Sequence, residues 1–170
     1  FNRITADKKL DYEMWNGCDY IAQVSEDCKK EFDKNYPKLK SKSLVIENLL
    51  PTDYIRKKAN ESIADMENTK NINLLSIGRF SEAKNFDNIP EICKFIKKSG
   101  INVKWYLIGY GAQENLIRNK ITEYGMENNV IILGKKINPY PYIKNCDIYV
   151  QPSRYEGKAV TVREAQILCK

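Results

Sequence analysis

Short apolar runs alternate with helix-length amphipathic segments from residue 73 to the end of the chain. Each apolar run is nearly continuous, as expected of a strand that is buried on both faces. Such alternation predicts a parallel sheet with helices on both faces, so we expect an α/β protein with a Rossmann-like sheet. The predicted strands are 73–77, 103–108, 129–133 and 147–151, and the predicted helices are 85–99 (with Ile89, Ile92, Cys93 and Ile96 on its apolar face), 113–124, 139–145 and 160–168.

The chain before this alternation has a different pattern. Residues 52–71 are charged and hold only scattered apolar side chains, which predicts a connection between two modules that begins with a helix near 54–59. The earlier predicted elements are a helix at 5–16 carrying Leu10, Met14 and Trp15, a strand at 19–24, a helix that starts after Ser25 and ends near Tyr36, and a strand at 43–47.

The composition excludes several kinds of chemistry. The chain has no histidine, so histidine-based acid–base catalysis is excluded and a zinc centre is not expected. The apolar content of 42% is sufficient for a packed core. The cysteines are odd in number and form no Cys-x-x-Cys pair, which predicts free thiols in a reducing cytosol. They are Cys18, Cys28, Cys93, Cys146 and Cys169.

The formal net charge of +6 comes from lysines that are spread along the whole chain. Such a pattern fits either a solvated surface or attraction to an anionic ligand, acceptor or membrane surface. No basic–aromatic module stands out, so a nucleic-acid partner is not expected. We also expect neither a membrane-spanning segment nor a signal peptide, because no apolar run is long enough.

Glycine and cationic residues gather in the turns that follow the predicted strands. In an open parallel sheet these turns meet at one edge, where glycine permits close approach of a ligand and helix N-termini attract anions. Phosphate or pyrophosphate is the expected ligand. The same glycines also fit plain strand-end turns, and the third glycine of a dinucleotide fingerprint is missing. The turns are Gly78-Arg79 (with Lys84 nearby), Gly109-Tyr110-Gly111, Gly134-Lys135-Lys136 and 152–158.

Two carboxylates mark the last of these turns. Glu156 precedes the predicted helix and Glu164 lies on it, with seven residues between them. Carboxylates accept hydrogen bonds from adjacent hydroxyls, as in a sugar or a ribose, and the N–H groups of 157–160 would face a diphosphate. The stretch therefore predicts half of a nucleotide-sugar site, although each glutamate alone also fits an ordinary acid at a helix start.

These motifs together resemble the donor-binding half of a GT-B fold glycosyltransferase, most similar to glycosyltransferase family 4. Glu156 and Glu164 match the E-x7-E motif of retaining enzymes. Ile77-Gly78-Arg79-Phe80 with Lys84 is similar to the family's Gly-Arg-Leu-x-x-x-Lys turn. The strand ends Leu107-Ile108-Gly109-Tyr110-Gly111 and Val130-Ile131-Ile132-Leu133-Gly134 match in order and spacing.

The resemblance implies a role for each matched residue. Arg79 and Lys84 would bind the donor diphosphate and stabilise charge on the leaving group, and Glu156 would hold the transferred sugar, so these three form the implied catalytic set. Glu164 would bind the ribose hydroxyls. The enzymes that this chain resembles retain the anomeric configuration and need neither metal nor cofactor. Leu133 and Lys135 would lie near the base. The other residues of the implied donor-binding set are Gly78, Gly109, Gly111, Gly157, Lys158, Ala159 and Val160.

The resemblance also implies a domain division. Residues 1–48 correspond to the end of the N-terminal, acceptor-side domain, 49–71 to the interdomain connection, and 72–170 to a donor domain that is incomplete at its C-terminus. The expected fold is thus a truncated part of GT-B, and we expect this chain alone to be inactive. Two departures from the family pattern are Lys158-Ala159 in place of Phe-Pro and Asn85 in place of glycine.

The expected donor is a UDP-hexose, and the expected acceptor is a saccharide or a lipid-linked molecule in bacterial surface polysaccharide synthesis. The cysteine pattern predicts a cytoplasmic protein, and the basic surface permits peripheral contact with the inner face of the membrane. Two other functions remain open. A sugar-nucleotide epimerase of this architecture would need an acid–base pair. A non-catalytic nucleotide-binding domain would keep the fold without the chemistry.

Overall fold

The computed structural model describes residues 8–66 and 70–170. Residues 5–7 of the predicted first helix and 67–69 of the predicted connection lie outside the described residues. The helices are α1 (Lys8–Asn16), α2 (Glu26–Asn35), α3 (Thr52–Lys58), α4 (Ile89–Lys98), α5 (Glu114–Tyr124), α6 (Tyr140–Asn145) and α7 (Val160–Ile167), and short 3-10 helices occur at Pro37–Lys42, Glu82–Lys84 and Phe86–Asn88. The strands are β1 (Ile21–Gln23), β2 (Ser43–Val45), β3 (Ile72–Ile77), β4 (Val103–Ile108), β5 (Val130–Gly134) and β6 (Ile148–Tyr149).

The contacts divide the chain into two compact units. The smaller unit contains the chain up to Leu50 together with Glu156–Val160, and the larger unit contains Pro51–Tyr155 and Thr161–Lys170. The described part of the predicted connection after Leu50 thus groups with the larger unit. Its helix α3 buries Ile55 completely.

The larger unit is built on a four-stranded sheet in the order β5-β4-β3-β6, and every neighbouring pair is parallel. The chain moves from β3 to β4 and β5 on one side, then crosses back to place β6 on the other side of β3. Ligands of open α/β sheets bind outside the carboxyl ends of the strands, where the strand order reverses. The predicted parallel sheet is confirmed, although its fourth strand spans only Ile148–Tyr149.

Alternate side chains of β4 enter two separate apolar cores. Trp105 and Leu107 pack on one face of the sheet with residues of α4 and α5, including Cys93. On the other face Tyr106 packs with residues of α6 and α7, including Ala165. This period-two alternation between two buried faces explains the continuous apolar run of the strand and confirms helices on both faces of the sheet.

Helix α4 begins four residues later than its apolar pattern predicts. Asn85 adopts a left-handed conformation with φ 59°, so an α-helix cannot pass through it. The predicted apolar face of this helix is only partly confirmed. Ile89 and Cys93 are fully buried, whereas Ile92 is 38% exposed, so its predicted place on the buried face was wrong.

The smaller unit contains a two-stranded parallel sheet of β1 and β2. Its core includes Phe32, against which the ring of Trp15 packs edge-on at a centroid distance of 5.9 Å. Two other apolar residues of α1, Leu10 and Met14, are more than half exposed, so the packing face predicted for this helix was only partly right. The side-chain oxygen of Ser25 accepts a hydrogen bond from the Cys28 amide at 3.2 Å, which confirms the predicted N-cap of α2.

No helix in the described ranges is both long enough and apolar enough to cross a membrane.

Candidate functional site

A cleft of about 260 Å³ opens at the carboxyl ends of β3, β4 and β5 in the larger unit. The turns that follow these strands form its walls, as expected for a ligand site in an open parallel sheet. Three of the predicted glycine turns are therefore brought together. The lining residues are Ile77, Gly78, Arg79, Ile108, Gly109, Tyr110, Lys135, Lys136 and Pro139.

Glycine is required in the turn after β4 because two stretches of backbone touch there. A Cβ on Gly109 would lie 1.9 Å from the carbonyl oxygen of Gly78, and one on Gly111 would lie 2.4 Å from that of Phe80. Backbone hydrogen bonds join the same turns, with the Phe80 amide donating to the carbonyl of Tyr110 at 2.9 Å. The contact between turns accounts for both glycines, and their approach to a ligand stays a prediction.

Three cationic side chains surround the Gly78 turn. Arg79 is exposed and makes no ion pair within the described part of the chain. The aliphatic stem of Lys84 lies over Gly78, since a Cβ at that glycine would be 3.3 Å from the Lys84 Cδ and Cε atoms. Lys135 is exposed, with its Nζ 5.5 Å from the centroid of the Tyr110 ring. The predicted cations thus lie beside one cleft, in an arrangement that suits an anionic ligand.

The fourth cation at this cleft is already paired. Lys136 Nζ lies 2.5 Å from Asp65 Oδ2, and the Tyr142 hydroxyl donates to Asp65 Oδ1 at 2.6 Å. Burial tends to raise the pKa of Asp65, but the hydrogen bonds from Lys136 and Tyr142 outweigh it and hold the pKa below its ordinary value. This cluster was not predicted, because Asp65 lies 71 positions from Lys136 and 77 positions from Tyr142 in the chain.

The loop after β6 is held by side chains. Arg154 donates through Nη1 to the carbonyl of Glu82, its Nη2 lies 3.4 Å from Asp87 Oδ2, and its amide donates to the carbonyl of Ala83 at 2.8 Å. Asn85 Nδ2 donates to the carbonyl of Pro152 at 3.1 Å. These bonds join the loop to the 3-10 turns that carry Lys84. The sequence pattern of the turn at 152–158 did not predict these partners of Arg154.

Glu164 lies half-buried on α7, where its carboxylate accepts a hydrogen bond from the Tyr140 hydroxyl at 3.0 Å. Burial raises the pKa of Glu164, while the bond from Tyr140 acts in the opposite direction. Burial and the nearby charge of Glu164 raise the pKa of Tyr140 to about 12. Tyr140 was not among the predicted site residues, because its link to Glu164 spans two elements.

Leu133, Glu156 and Gly157 were also predicted as donor-binding residues. Leu133 packs with the core on the α6 side of the sheet. In the smaller unit Glu156 is exposed, and the carbonyl of Gly157 accepts from Ser25 Oγ at 3.2 Å and from Cys28 Sγ at 3.4 Å.

Two further residues of the same turn have backbone and side-chain partners. Lys158 Nζ pairs with Glu47 Oε2 at 2.8 Å, and its carbonyl accepts from the Val160 amide at 2.9 Å. The Lys158 ammonium is thus neutralised by a carboxylate. Ala159, which stands between Lys158 and Val160 in the chain, is partly buried. The donor-binding roles of these residues stay predictions.

The residues that the structure describes include no group of three or more His, Cys, Asp or Glu side chains that could hold a metal ion. All five cysteines are free.

The fold is similar to that of a solved protein structure. The match is TarM from S. aureus, a mutant in complex with fondaparinux, alpha-GlcNAc-glycerol and UDP. The TM-score is 0.74 at 20% identity, and the match covers 95% of this chain and 30% of that one. The parallel sheet with its two helical layers therefore has the GT-B fold of glycosyltransferases.

Sequence comparison defines the family. The profile of "Glycosyl transferases group 1" matches residues 58–170, which is more than half of the chain, and the chain belongs to this family. An uncharacterized glycosyltransferase of Methanocaldococcus jannaschii is 26% identical over 150 residues, covering 86% of this chain and 37% of the relative.

A second relative is named as a transferase with a lipid-linked substrate. It is the N-acetylgalactosamine-N,N'-diacetylbacillosaminyl-diphospho-undecaprenol 4-alpha-N-acetylgalactosaminyltransferase of Campylobacter jejuni, 27% identical over 144 residues. The match covers 85% of this chain and 38% of the relative. The chain thus spans less than two fifths of the length of either relative.

Proposed function

We propose that the chain forms the donor-binding part of a retaining glycosyltransferase, which moves a hexose from a UDP-sugar to a saccharide or lipid-linked acceptor. The observation that carries the proposal is the cleft at the carboxyl ends of β3, β4 and β5, with exposed Arg79 on its wall. A guanidinium without an ion pair among the described residues can bind a diphosphate through two parallel hydrogen bonds.

The charges around the cleft favour a diphosphate over a neutral ligand. Lys84 lies beside Gly78, and Lys135 lines the same cleft. In the proposed reaction, Arg79 and Lys84 stabilise the charge that develops on the leaving diphosphate, which is the work that a metal ion performs in other transferases. The proposed enzyme therefore needs neither metal nor cofactor.

The two glutamates supply acceptors for hydroxyl groups. Glu164 is half-buried and takes part in no ion pair in the described ranges, so its carboxylate suits neutral hydroxyl donors such as those of a ribose. Glu156 is exposed, and we assign it to the hydroxyls of the transferred sugar. The backbone of Gly157–Val160 would support the phosphate and the sugar.

The named relatives support a uridine donor and a lipid-linked or saccharide acceptor. The TarM complex contains UDP together with alpha-GlcNAc-glycerol. The Campylobacter jejuni relative is named for transfer to a diphospho-undecaprenol substrate. We extend this chemistry to the present chain and propose a role in bacterial surface polysaccharide synthesis at the cytoplasmic side of the membrane.

Calorimetric titration with UDP, GDP, UDP-glucose and UDP-N-acetylglucosamine tests the donor site. We expect UDP to bind, and Arg79→Ala to weaken its binding by about 10-fold or more, because charged hydrogen bonds to the diphosphate are lost. Arg118→Ala is the matched control, since it removes the same charge from an exposed ion pair with Glu114 on α5. Equal binding by both variants would contradict the proposal.

Product analysis separates the proposed transfer from the two other functions. We expect the isolated chain to bind nucleotide without turnover. Conversion of UDP-glucose to UDP-galactose would identify an epimerase. Sugar transfer to an acceptor by these residues alone would contradict the expected inactivity of the isolated chain. Binding that Arg79→Ala and Glu164→Gln leave unchanged would point to a non-catalytic domain with another nucleotide site.

A further inference from the structure

The side chain of Glu164 is held in place from two directions. Its neighbour Ala165 is buried in the core on the α6 side of the sheet, which fixes the orientation of α7 around this position. From α6, the Tyr140 hydroxyl donates to Glu164 Oε1 at 3.0 Å. One carboxylate oxygen is therefore occupied by a neutral donor, and Oε2 has no hydrogen-bond partner among the described residues.

Tyr140 is itself restrained by its surroundings. Its amide donates to Asn138 Oδ1 at 3.2 Å at the start of α6. Its ring meets Tyr54 of α3 edge-on, with a centroid distance of 6.5 Å. The preceding residue, Pro139, lines the cleft at the strand ends. A side chain that is ordered before the ligand arrives loses less conformational entropy on binding.

Helix α6 carries a second tyrosine that donates to a carboxylate, but that carboxylate also has a cationic partner. Tyr142 donates to Asp65, but Lys136 also forms an ion pair with that carboxylate at 2.5 Å. The Asp65 carboxylate is therefore already paired with an ammonium and a hydroxyl. Glu164 has a hydroxyl donor and no ion pair among the described residues, so it retains the capacity to accept hydrogen bonds from a ligand.

We infer that Tyr140 is a positioning residue, which orients the Glu164 carboxylate through Oε1 and leaves Oε2 to accept hydrogen bonds from ribose hydroxyls of the donor. The inference rests on the proposed uridine-nucleotide site and adds a residue outside every matched motif. Tyr140 does not itself touch the nucleotide in this arrangement. It acts by fixing the direction of one acceptor oxygen.

The first test compares UDP with 2′-deoxy-UDP at pH 8, using the parent chain and three variants. We expect the parent to prefer UDP by about 10-fold, because a hydrogen bond to a charged acceptor is lost with the hydroxyl. Glu164→Gln should lower the preference to about 2-fold, and Tyr140→Phe to about 3-fold. Tyr142→Phe is the matched control, since it removes a hydroxyl bonded to Asp65 from the same helix and should leave the preference unchanged.

The second test measures the pH dependence of UDP-glucose binding, since this ligand has no phosphate that titrates between pH 4 and 8. Binding requires the ionised carboxylate, so it should weaken as the pH falls through the pKa of Glu164. The bond from Tyr140 lowers that pKa, and Tyr140→Phe should therefore shift the midpoint to higher pH. Among the described residues, Tyr140 is the titratable group that acts on Glu164, and Tyr54 in turn acts on Tyr140.

Introducing 3-fluorotyrosine at position 140 provides a variant that keeps the shape of the side chain. Its hydroxyl is a stronger donor, so the midpoint should move to lower pH than in the parent. If Tyr140→Phe and the fluorinated chain both match the parent while Glu164→Gln loses the ribose preference, the positioning role is wrong and the proposed function stands. If the parent does not bind UDP at all, the proposed function fails and this inference fails with it.

Discussion

The two sides of the strand-end edge are held together by different means. The turns after β3 and β4 touch through backbone atoms, with Gly109 against the carbonyl of Gly78. The loop after β6 is instead joined to its neighbour by side chains, mainly Arg154 and Asn85. Both arrangements border predicted site residues, Arg79 in the first case and Lys84 in the second.

Because of this difference, the two regions should tolerate different substitutions. A contact between two backbones depends on the absence of a side chain, so any residue larger than glycine disturbs it. A contact made by side chains depends on particular donors, and a similar donor can replace part of it. The first region should therefore fail abruptly on substitution, and the second should weaken in proportion to the hydrogen bonds that are lost.

The largest effect is expected for Gly109→Ala. The new Cβ would lie 1.9 Å from the carbonyl oxygen of Gly78, so the two turns must separate. We expect the free energy of unfolding to fall by more than about 3 kcal/mol, as for other severe steric clashes. Urea unfolding measures this loss. Gly125→Ala is the matched control, because Gly125 also has positive φ (66°) but open space around it, and it should cost roughly 1 kcal/mol. Equal losses for the two variants would show that the backbone contact is unimportant.

An intermediate effect is expected for Arg154→Ala. The substitution removes the bond to the Glu82 carbonyl and leaves Asp87, which is 9% exposed, without its cation. We expect a loss of about 2 kcal/mol in thermal or urea unfolding, and partial recovery in Arg154→Lys. Arg118→Ala, in an exposed pair on α5, should cost no more than about 0.5 kcal/mol. A loss for Arg154→Ala as small as that of the control would refute the side-chain attachment.

The smallest effect is expected at Asn85, where the backbone contribution and the side-chain contribution can be measured separately. Asn85 combines a left-handed backbone with a side chain that donates to the carbonyl of Pro152. Asn85→Gly loses only the side-chain bonds, whereas Asn85→Ala loses them and also strains the backbone. We expect Ala to be less stable than Gly by about 1 kcal/mol. Identical unfolding midpoints would mean that the backbone conformation at this position carries no cost.

Much of the larger unit could be predicted from sequence because its strands are continuous apolar runs. The strand over 103–108 was predicted at its observed bounds, and glycine turns were expected at its end. The face of a short helix was harder to predict. On α1 both Leu10 and Met14 are exposed, whereas Tyr12 and Trp15 of the same helix pack against the core.

The candidate site was predictable only where its members follow one another in the chain. The Gly78–Arg79 turn and the pair of Glu156 and Glu164 are local patterns, so they could be named as candidates from the sequence, and their roles stay predictions. The partners of those residues come from other elements. Tyr140 lies 24 positions from Glu164, and Arg154 lies 67 positions from Asp87, and no local period connects them.

The parallel α/β class and the glycine turns could be predicted from the sequence, because they depend on residue periodicity and on local backbone preference. Only the folded chain shows that Lys136 is neutralised by Asp65 while Arg79 stays exposed, and that Glu164 accepts a hydrogen bond from Tyr140. The physical reason is that the charge state and direction of a side chain depend on neighbours, and folding brings those neighbours from distant parts of the chain.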